Sequence, residues 1–285
     1  TKLTSCFCNP HQLFLHHILT SLLLSLKPKQ SLGQNFLRDP NILYNLALAA
    51  RAKSGERVVE IGPGEGALTR RLVEMYDDVI AVETDSRAVR MLAEQMPELT
   101  VKQADILEMP WDEVIRPGAE HVVIGNIPYN ITSPILFKVM DAAGLFRRAV
   151  FTMQREVAER LVARPGSKSY SILSVQAQLL GSVEYLFTIS RHAFYPKPKI
   201  ESSVVAFTPA PERLPVELAR MKQVVRMAFN QRRKMLSNSL RPLLPEDATI
   251  RAAFPFDLAQ RPDQLVPEEF IKVVQALDAA EEGGK

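Results

Sequence analysis

A run of β-forming residues breaks into three closely spaced glycines and then turns helical at Val58-Val59-Glu60-Ile61-Gly62-Pro63-Gly64-Glu65-Gly66-Ala67. Glycines at alternate positions favour neither strand nor helix, so this stretch reads as strand, loop, helix. Such a loop belongs at the carboxyl end of the first strand of an open α/β sheet, where a ligand can approach the backbone without meeting Cβ atoms. The surrounding pattern repeats the unit. Short apolar runs predict strands at 57–61, 79–83, 100–103, 121–125, 149–154, 182–189 and 203–208. Amphipathic stretches predict helices at 67–75, 87–95 and 133–143, and Asp39-Pro40, a capping residue before proline, opens another to about residue 52. Strands separated by helices imply a mostly parallel, doubly wound, Rossmann-like sheet.

Three prolines within Pro209-Ala-Pro-Glu-Arg-Leu-Pro215 mark a linker, and beyond it the pattern is helical only, from about 216 to 277. The expected organisation is an α/β domain over 29–208 and a small all-helical domain over 209–285. Residues 1–28 carry no Asp or Glu, the first carboxylate being Asp39. Their apolar stretch between Leu13 and Leu26 is shorter than the roughly 20 residues of a membrane helix. They read as a disordered extension on a cytoplasmic, monomeric protein, with organelle targeting as the alternative. Cys6 and Cys8 provide no disulfide framework for the body of the chain. With His11, His16 and His17 they match no standard zinc spacing, so no metal is expected.

The glycine loop alone fits two cofactors. Gly62-x-Gly64-x-x-Ala67 satisfies the dinucleotide fingerprint, and Glu83 ends the second strand where a ribose-binding acid belongs. Three features favour S-adenosylmethionine. Glu60 precedes the glycines, where a carboxylate repels a pyrophosphate but suits a sulfonium and an ammonium. Asp105 follows the third strand, placed to accept from an adenine amino group. Asn126-Ile127-Pro128-Tyr129 follows the fourth strand and has no counterpart role in dehydrogenases.

That tetrapeptide suits chemistry at the exocyclic N6 of adenine, a weak nucleophile because its lone pair is delocalised into the ring. The Asn126 side-chain oxygen and the Ile127 carbonyl can accept from the amino group, and Pro128 stiffens the loop. Tyr129 offers a face on which an extruded base can stack, worth roughly 1–3 kcal/mol. The alternative is a tight turn in which Asn126 satisfies backbone groups.

The net charge of +3 is too mild to imply a polyanionic partner, but its distribution is uneven. No carboxylate occurs between Glu217 and Glu246, whereas Arg220, Lys222, Arg226, Arg232, Arg233, Lys234 and Arg241 are basic. Arg232, Arg233 and Lys234 are the expected phosphate contacts to structured RNA, against a merely solvated basic face.

From about Lys29 to Leu277 the sequence resembles the ribosomal RNA adenine N6,N6-dimethyltransferases of the small subunit. The resemblance rests on Gln30-Ser31-Leu32-Gly33-Gln34-Asn35-Phe36-Leu37, Glu60-Ile61-Gly62-Pro63-Gly64, Glu83-Thr84-Asp85, Asp105, Asn126-Ile127-Pro128-Tyr129 and His192-Ala193-Phe194-Tyr195-Pro196-Lys197-Pro198-Lys199. It implies a class I methyltransferase fold and dimethylation of two adjacent adenosines near the 3′ end of small-subunit rRNA. It also implies cofactor contacts from Asn35, Leu37, Gly62, Glu83, Asp105 and Asn126, and a target base held between Tyr129 and Phe194. Phe194 sits in a proline-punctuated loop, where an aromatic has little core to join. The rival readings are a large-subunit enzyme of the antibiotic-resistance type and a non-catalytic organellar transcription factor. The chain departs from the family in Ser171, where glycine is common, and in residues 1–28, which lack a counterpart in the typical bacterial enzyme.

Overall fold

A computed structural model of the protein describes residues 26–29 and 32–283. The readings of residues 1–25, including Cys6, Cys8, His11, His16 and His17, and of Gln30 and Ser31 lie outside the described residues.

The described chain opens on a short strand, β1 (Phe36–Leu37), and a helix, α1 (Pro40–Ala49). Asp39 caps α1, its carboxylate accepting from the amides of Asn41 and Ile42 at 2.9 and 3.1 Å. The helix stops short of residue 52 because Arg51 turns left-handed, with φ +50°. There follow β2 (Arg57–Ile61), α2 (Ala67–Met75), β3 (Val79–Glu83), α3 (Ser86–Gln95), β4 (Thr100–Gln103), β5 (His121–Asn126), α4 (Thr132–Asp141) and β6 (Arg148–Gln154). Next come α5 (Arg155–Leu161), α6 (Ile172–Leu180), β7 (Gly181–Ile189), β8 (Phe194–Tyr195) and β9 (Ser202–Pro209).

Seven strands form one sheet in the order β4-β3-β2-β5-β6-β9-β7. β2 to β6 are parallel, whereas β9 lies antiparallel between β6 and β7. Neighbouring residues in the central strands, such as Val58 and Val59 or Val122 and Val123, are both fully buried and join different cores. That is why these strands read as continuous apolar runs instead of alternating: helices cover both faces.

Helices α5 and α6 escape the sequence pattern. Ser171 caps α6 in a box with Ser174, so the departure from the family's glycine has a structural role. Leu173 and Ala177 of α6 face the sheet, while Val175 and Leu179 face away from it. Onto that outer side pack α7 (Leu218–Asn230) and α10 (Pro267–Gly283), with α8 (Leu236–Ser239) and α9 (Ala248–Ala252) between them. Phe270, Val273, Val274 and Leu277 of α10 are fully buried there, each worth roughly 2 kcal/mol. The Tyr170 hydroxyl donates to the Leu265 carbonyl at 3.0 Å across the same seam.

Among the described residues no helix is long and apolar enough to cross a membrane, and no cluster of His, Cys, Asp and Glu could hold a metal ion.

Candidate active site

The carboxyl ends of β2, β3 and β5 surround a deep cavity, closed on the remaining side by residues 32–37. β2 delivers the chain into Gly62, Gly64 and Gly66, with φ of +69°, +53° and +75°. At Gly64 space matters as well as φ, since a Cβ there would lie 2.9 Å from the Phe36 ring. The β2 loop and the N-terminal arm are thus fitted to each other.

Glu83 stands at the end of β3, nearly buried. Its two oxygens accept from the backbone amides of Gly64 at 3.0 Å and Asp85 at 2.8 Å. Burial raises its carboxyl above the usual carboxylate range against the pull of these amides. Glu83 therefore does more than await a ribose: it shapes the glycine loop. Asp85 is held low by the Arg87 guanidinium, and also accepts from Gln34 and Lys29 of the arm. Asp105 is exposed on the rim and uses one oxygen on the Leu107 amide at 2.8 Å.

Glu60 differs from both. It is 1 % exposed and lines the cavity, and neither its Oε2 nor the buried Thr69 hydroxyl, which lies near enough to lower its pKa, makes a well-formed hydrogen bond. Burial pushes the Glu60 carboxyl up to about 8, and the Glu83 charge works in the same direction. A buried polar atom left unsatisfied beside a cavity is expensive unless something enters to meet it.

Asn126 ends β5, with Ile127, Pro128 and Tyr129 continuing along the cavity wall. Its Nδ2 donates to the Asn35 carbonyl at 2.9 Å, and its Oδ1 accepts from the Thr152 hydroxyl. The Asn35 carbonyl can only accept, so the amide orientation is settled and one lone pair of Oδ1 stays free. Asn126 does satisfy a backbone group, as the turn reading allowed, but it is the Asn35 carbonyl of the arm and not one of its own turn. Gly33, with φ +61°, lies so close to Asn130 that a Cβ would sit 2.5 Å from its side-chain oxygen. The Tyr129 hydroxyl meets Ser202 Oγ at 2.5 Å, and burial raises its pKa. Sequence reasoning missed Thr152 and Ser202. The signal for Thr152 is a lone hydroxyl in the apolar run of β6, at the register position facing Asn126.

The cavity brings together Asn35, Leu37, Gly62, Gly64, Glu83 and Asp105 with Asn126 to Tyr129. Phe194 is not among its walls. The expectation that this aromatic has little core to join is wrong: β8 pairs antiparallel with β1, Leu37 opposite Phe194. Phe194 is 5 % exposed and packs in the core with Leu37 and Ile189. The basic stretch also needs correction. Arg232 donates to the carbonyls of Ser167 and Lys168 at 2.8 and 2.7 Å and faces Asp263 at 3.4 Å. Arg220 pairs with Asp278 and Glu281, and Lys222 with Asp141. The segment lacks carboxylates in sequence but not in space. Arg233 and Lys234 are exposed, with no ion pair among the described residues.

The donor set decides between the two cofactor readings. Glu60, Glu65, Glu83 and Asp105 line the cavity among the described residues, without a single Lys or Arg. A pyrophosphate would meet Glu83 and Asp105 with no lining cation, Arg38 on the rim being already paired with Glu65, and the Gly64 amide it needs is held by Glu83. A ligand with a sulfonium, an ammonium, ribose hydroxyls and an adenine amino group fits these acceptors. S-adenosylmethionine is such a ligand.

Comparison with known proteins agrees. A family model described as "Ribosomal RNA adenine dimethylase" matches residues 25–278. A "Ribosomal RNA small subunit methyltransferase A" of Chlorobium chlorochromatii is 44% identical over 213 residues, covering 75% of this chain and 81% of the relative. Among solved structures, a dimethyladenosine transferase from Plasmodium falciparum aligns with TM-score 0.73 at 25% identity, covering 86% of this chain and 98% of its own. The 23S rRNA methyltransferase ErmE aligns with TM-score 0.64 at 26% identity, covering 85% and 99%.

Proposed function

The chain belongs to the ribosomal RNA adenine dimethylase family, and on that premise we propose that it methylates N6 of two adjacent adenosines near the 3′ end of small-subunit rRNA. It is an S-adenosylmethionine-dependent rRNA adenine dimethyltransferase with a class I methyltransferase fold. The observation that carries the reading is the Asn126–Tyr129 loop on the wall of a cavity rich in carboxylates and free of cations. Support for the small subunit over the large one comes from the relative named for it at 44% identity.

When bound, S-adenosylmethionine supplies an electrophilic methyl group carried on a sulfonium. Glu83 and Asp105 would hold its ribose and adenine, with Glu60 toward the amino-acid portion. Gly62, Gly64, Asn35 and Leu37 would form the surrounding wall. Asn126 positions the target. Its free Oδ1 lone pair and the Ile127 carbonyl accept from the adenine amino group, which favours a pyramidal N6 whose lone pair is no longer delocalised into the ring. Tyr129 stacks the extruded base and Pro128 keeps the loop stiff. After transfer the methylated nitrogen loses its proton to solvent. Because the donor is already activated, positioning supplies most of the catalysis and no strong base is required. Phe194 acts from behind, bracing Leu37.

Arg233 and Lys234 contact phosphates on the helical face that begins after residue 209, with Arg232 as their brace. The cavity is completed by the chain's own arm, which suits a monomer, and action on a ribosomal precursor suits a cytoplasmic protein. The test is methyl transfer in vitro to separated ribosomal subunits that lack the modification, followed by nucleoside mass spectrometry. Dimethyladenosine is expected in small-subunit rRNA alone. Methylation confined to the large subunit, or none, overturns the reading.

A further inference from the structure

Between Glu184 and Glu201 the chain carries no carboxylate, while Arg191, His192, Lys197 and Lys199 are all exposed. None of them has an ion pair among the described residues. In their midst stands Tyr195, a large aromatic that is 51% exposed although it belongs to a paired strand. Its neighbour across the β1–β8 ribbon is Phe36, which packs against Gly64 on the cavity wall. Above its ring lies the Arg38 guanidinium, 4.4 Å from the centroid. Arg38 reaches on to both oxygens of Glu65, at 3.2 Å, and Glu65 lines the same cavity. An exposed aromatic is thus held by register and by a cation–π contact at the cavity rim, within a cationic field.

Exposed tyrosines usually need no explanation, but this one is oriented on both sides. Packing gives no reason for it, since its neighbour Phe194 already fills the core. Resting on the rRNA reading above, we infer that Tyr195 and Arg38 form a stacking platform for a nucleotide flanking the target adenosine, with Arg191, Lys197 and Lys199 taking the adjoining phosphates. An extruded base leaves its strand neighbours unstacked, and an aromatic face beside the cavity mouth can hold one of them with little regard to sequence. Tyr195 is a positioning residue in this arrangement. It acts on the placement of the RNA strand and not on the methyl transfer.

The experiment compares the full-length wild type with Tyr195→Ala, Tyr195→Phe and Lys197→Ala/Lys199→Ala. Affinity is measured by anisotropy on a labelled fragment of small-subunit rRNA containing the 3′ end, alongside turnover on unmodified small subunits. Tyr195→Ala should weaken RNA binding about tenfold or more, the scale of one lost base–aromatic stack. The loss should appear in KM for RNA, with kcat, cofactor affinity and Tm close to wild type. Tyr195→Phe should restore binding, because the face and not the hydroxyl is used. The double lysine variant should flatten the salt dependence by up to about two units. Wild-type affinity in Tyr195→Ala, or equal loss in Tyr195→Phe, overturns the platform. Turnover by the wild-type protein tests the rRNA reading separately. Tyr195-dependent binding without methylation would sink that reading and leave the platform standing.

Discussion

Glu56 and Glu60 lie four residues apart, one just before β2 and the other near its far end, and their surroundings are opposite in kind. The Glu56 side chain is 5% exposed and fully engaged, accepting from Arg147 Nε at 2.6 Å and its second guanidinium nitrogen at 2.8 Å, and from the Lys53 amide at 2.7 Å. Burial works to raise its carboxyl, but these donors outweigh it and bring it down to about 2. Glu60 is as deeply buried, has an oxygen without any partner, and is pushed up to about 8. At the amino end of the sheet the fold satisfies its own charges. At the carboxyl end Glu83 and Asp85 are likewise engaged, but Glu60, on the cavity wall, is not. The difference separates carboxylates that hold the structure from those kept for a ligand.

The sharpest way to break this comparison is to remove a group from each end. Asn126→Ala, at the carboxyl end, should cut turnover at least about a hundredfold, the scale of one positioned polar group. Its denaturation midpoint should fall only modestly, the Asn35 carbonyl and the Thr152 hydroxyl each losing one partner. Near-normal methylation by this variant would refute the role of Asn126. Arg147→Ala, at the amino end, should do the reverse. Leaving the buried Glu56 with only the Lys53 amide should cost roughly 2–3 kcal/mol of stability, the scale of hydrogen bonds to a charged group. Cofactor affinity by calorimetry should be unchanged, and a variant as stable as wild type would show that Glu56 is not held by its partner.

Glu60→Gln gives a smaller effect with a definite sign. Burial pushes the carboxyl up to about 8 in the folded protein, from the ordinary 4.5 that it has in the unfolded chain. Below about 4.5 both states hold the proton and the group is neutral to stability. As pH rises toward 8 the unfolded chain releases it first, so stability is progressively lost across that window. The amide escapes this loss. Chemical denaturation without cofactor should find Glu60→Gln more stable than wild type by about 1 kcal/mol or more at pH 8, with little difference at pH 4.5. Its affinity for S-adenosylmethionine should fall. A wild-type pH profile would mean that Glu60 is ionised in the empty cavity. The smallest effect extends the comparison to the helical region. Arg233→Ala/Lys234→Ala should flatten log affinity for RNA against log salt by up to about two units and leave Tm unchanged. Arg232→Ala should lower Tm instead, because its guanidinium ties the turn after α7 to residues 167 and 168.

What could be read in the sequence follows from where each interaction is encoded. Strands β2 to β6 match their predicted limits within a residue; for β2, β3, β5 and β6 that is because two-faced burial demands short unbroken apolar runs ended by turn residues, whereas β4 is an edge strand with no buried residue. The glycine loop, Glu83 and the Asn126–Tyr129 loop are likewise local signals, strand ends followed by residues with special backbone needs. Helix α6 was hidden because both of its sides are buried, one by the sheet and the other by α7 and α10, so no polar face marks its period. Its Ser171 cap was the available clue. Phe194 was misplaced because its burial depends on β1, far away in the chain. Arg232 looked free because Asp263 and the carbonyls it binds are equally remote. Local chemistry announces a site, whereas whether a neighbouring side chain is spare or spoken for is decided by contacts no window contains.

The ribbon between β1 and β8 also sets an order of events during synthesis. The arm that closes the cavity emerges early, but its partner strand emerges only after β7. β7 itself reaches the sheet only through β9, which lies between it and β6. A nascent chain exposed as far as β6 therefore has the glycine loop and side chains such as Asn126 and Asp85 that hydrogen-bond the arm, but not the strand pairing that fixes it across the cavity. Pairings of such long sequence separation form slowly and late. Cofactor retention should accordingly arise as one of the last steps of folding, once β9 has slotted into place, and it can serve as a clock for completion of the sheet.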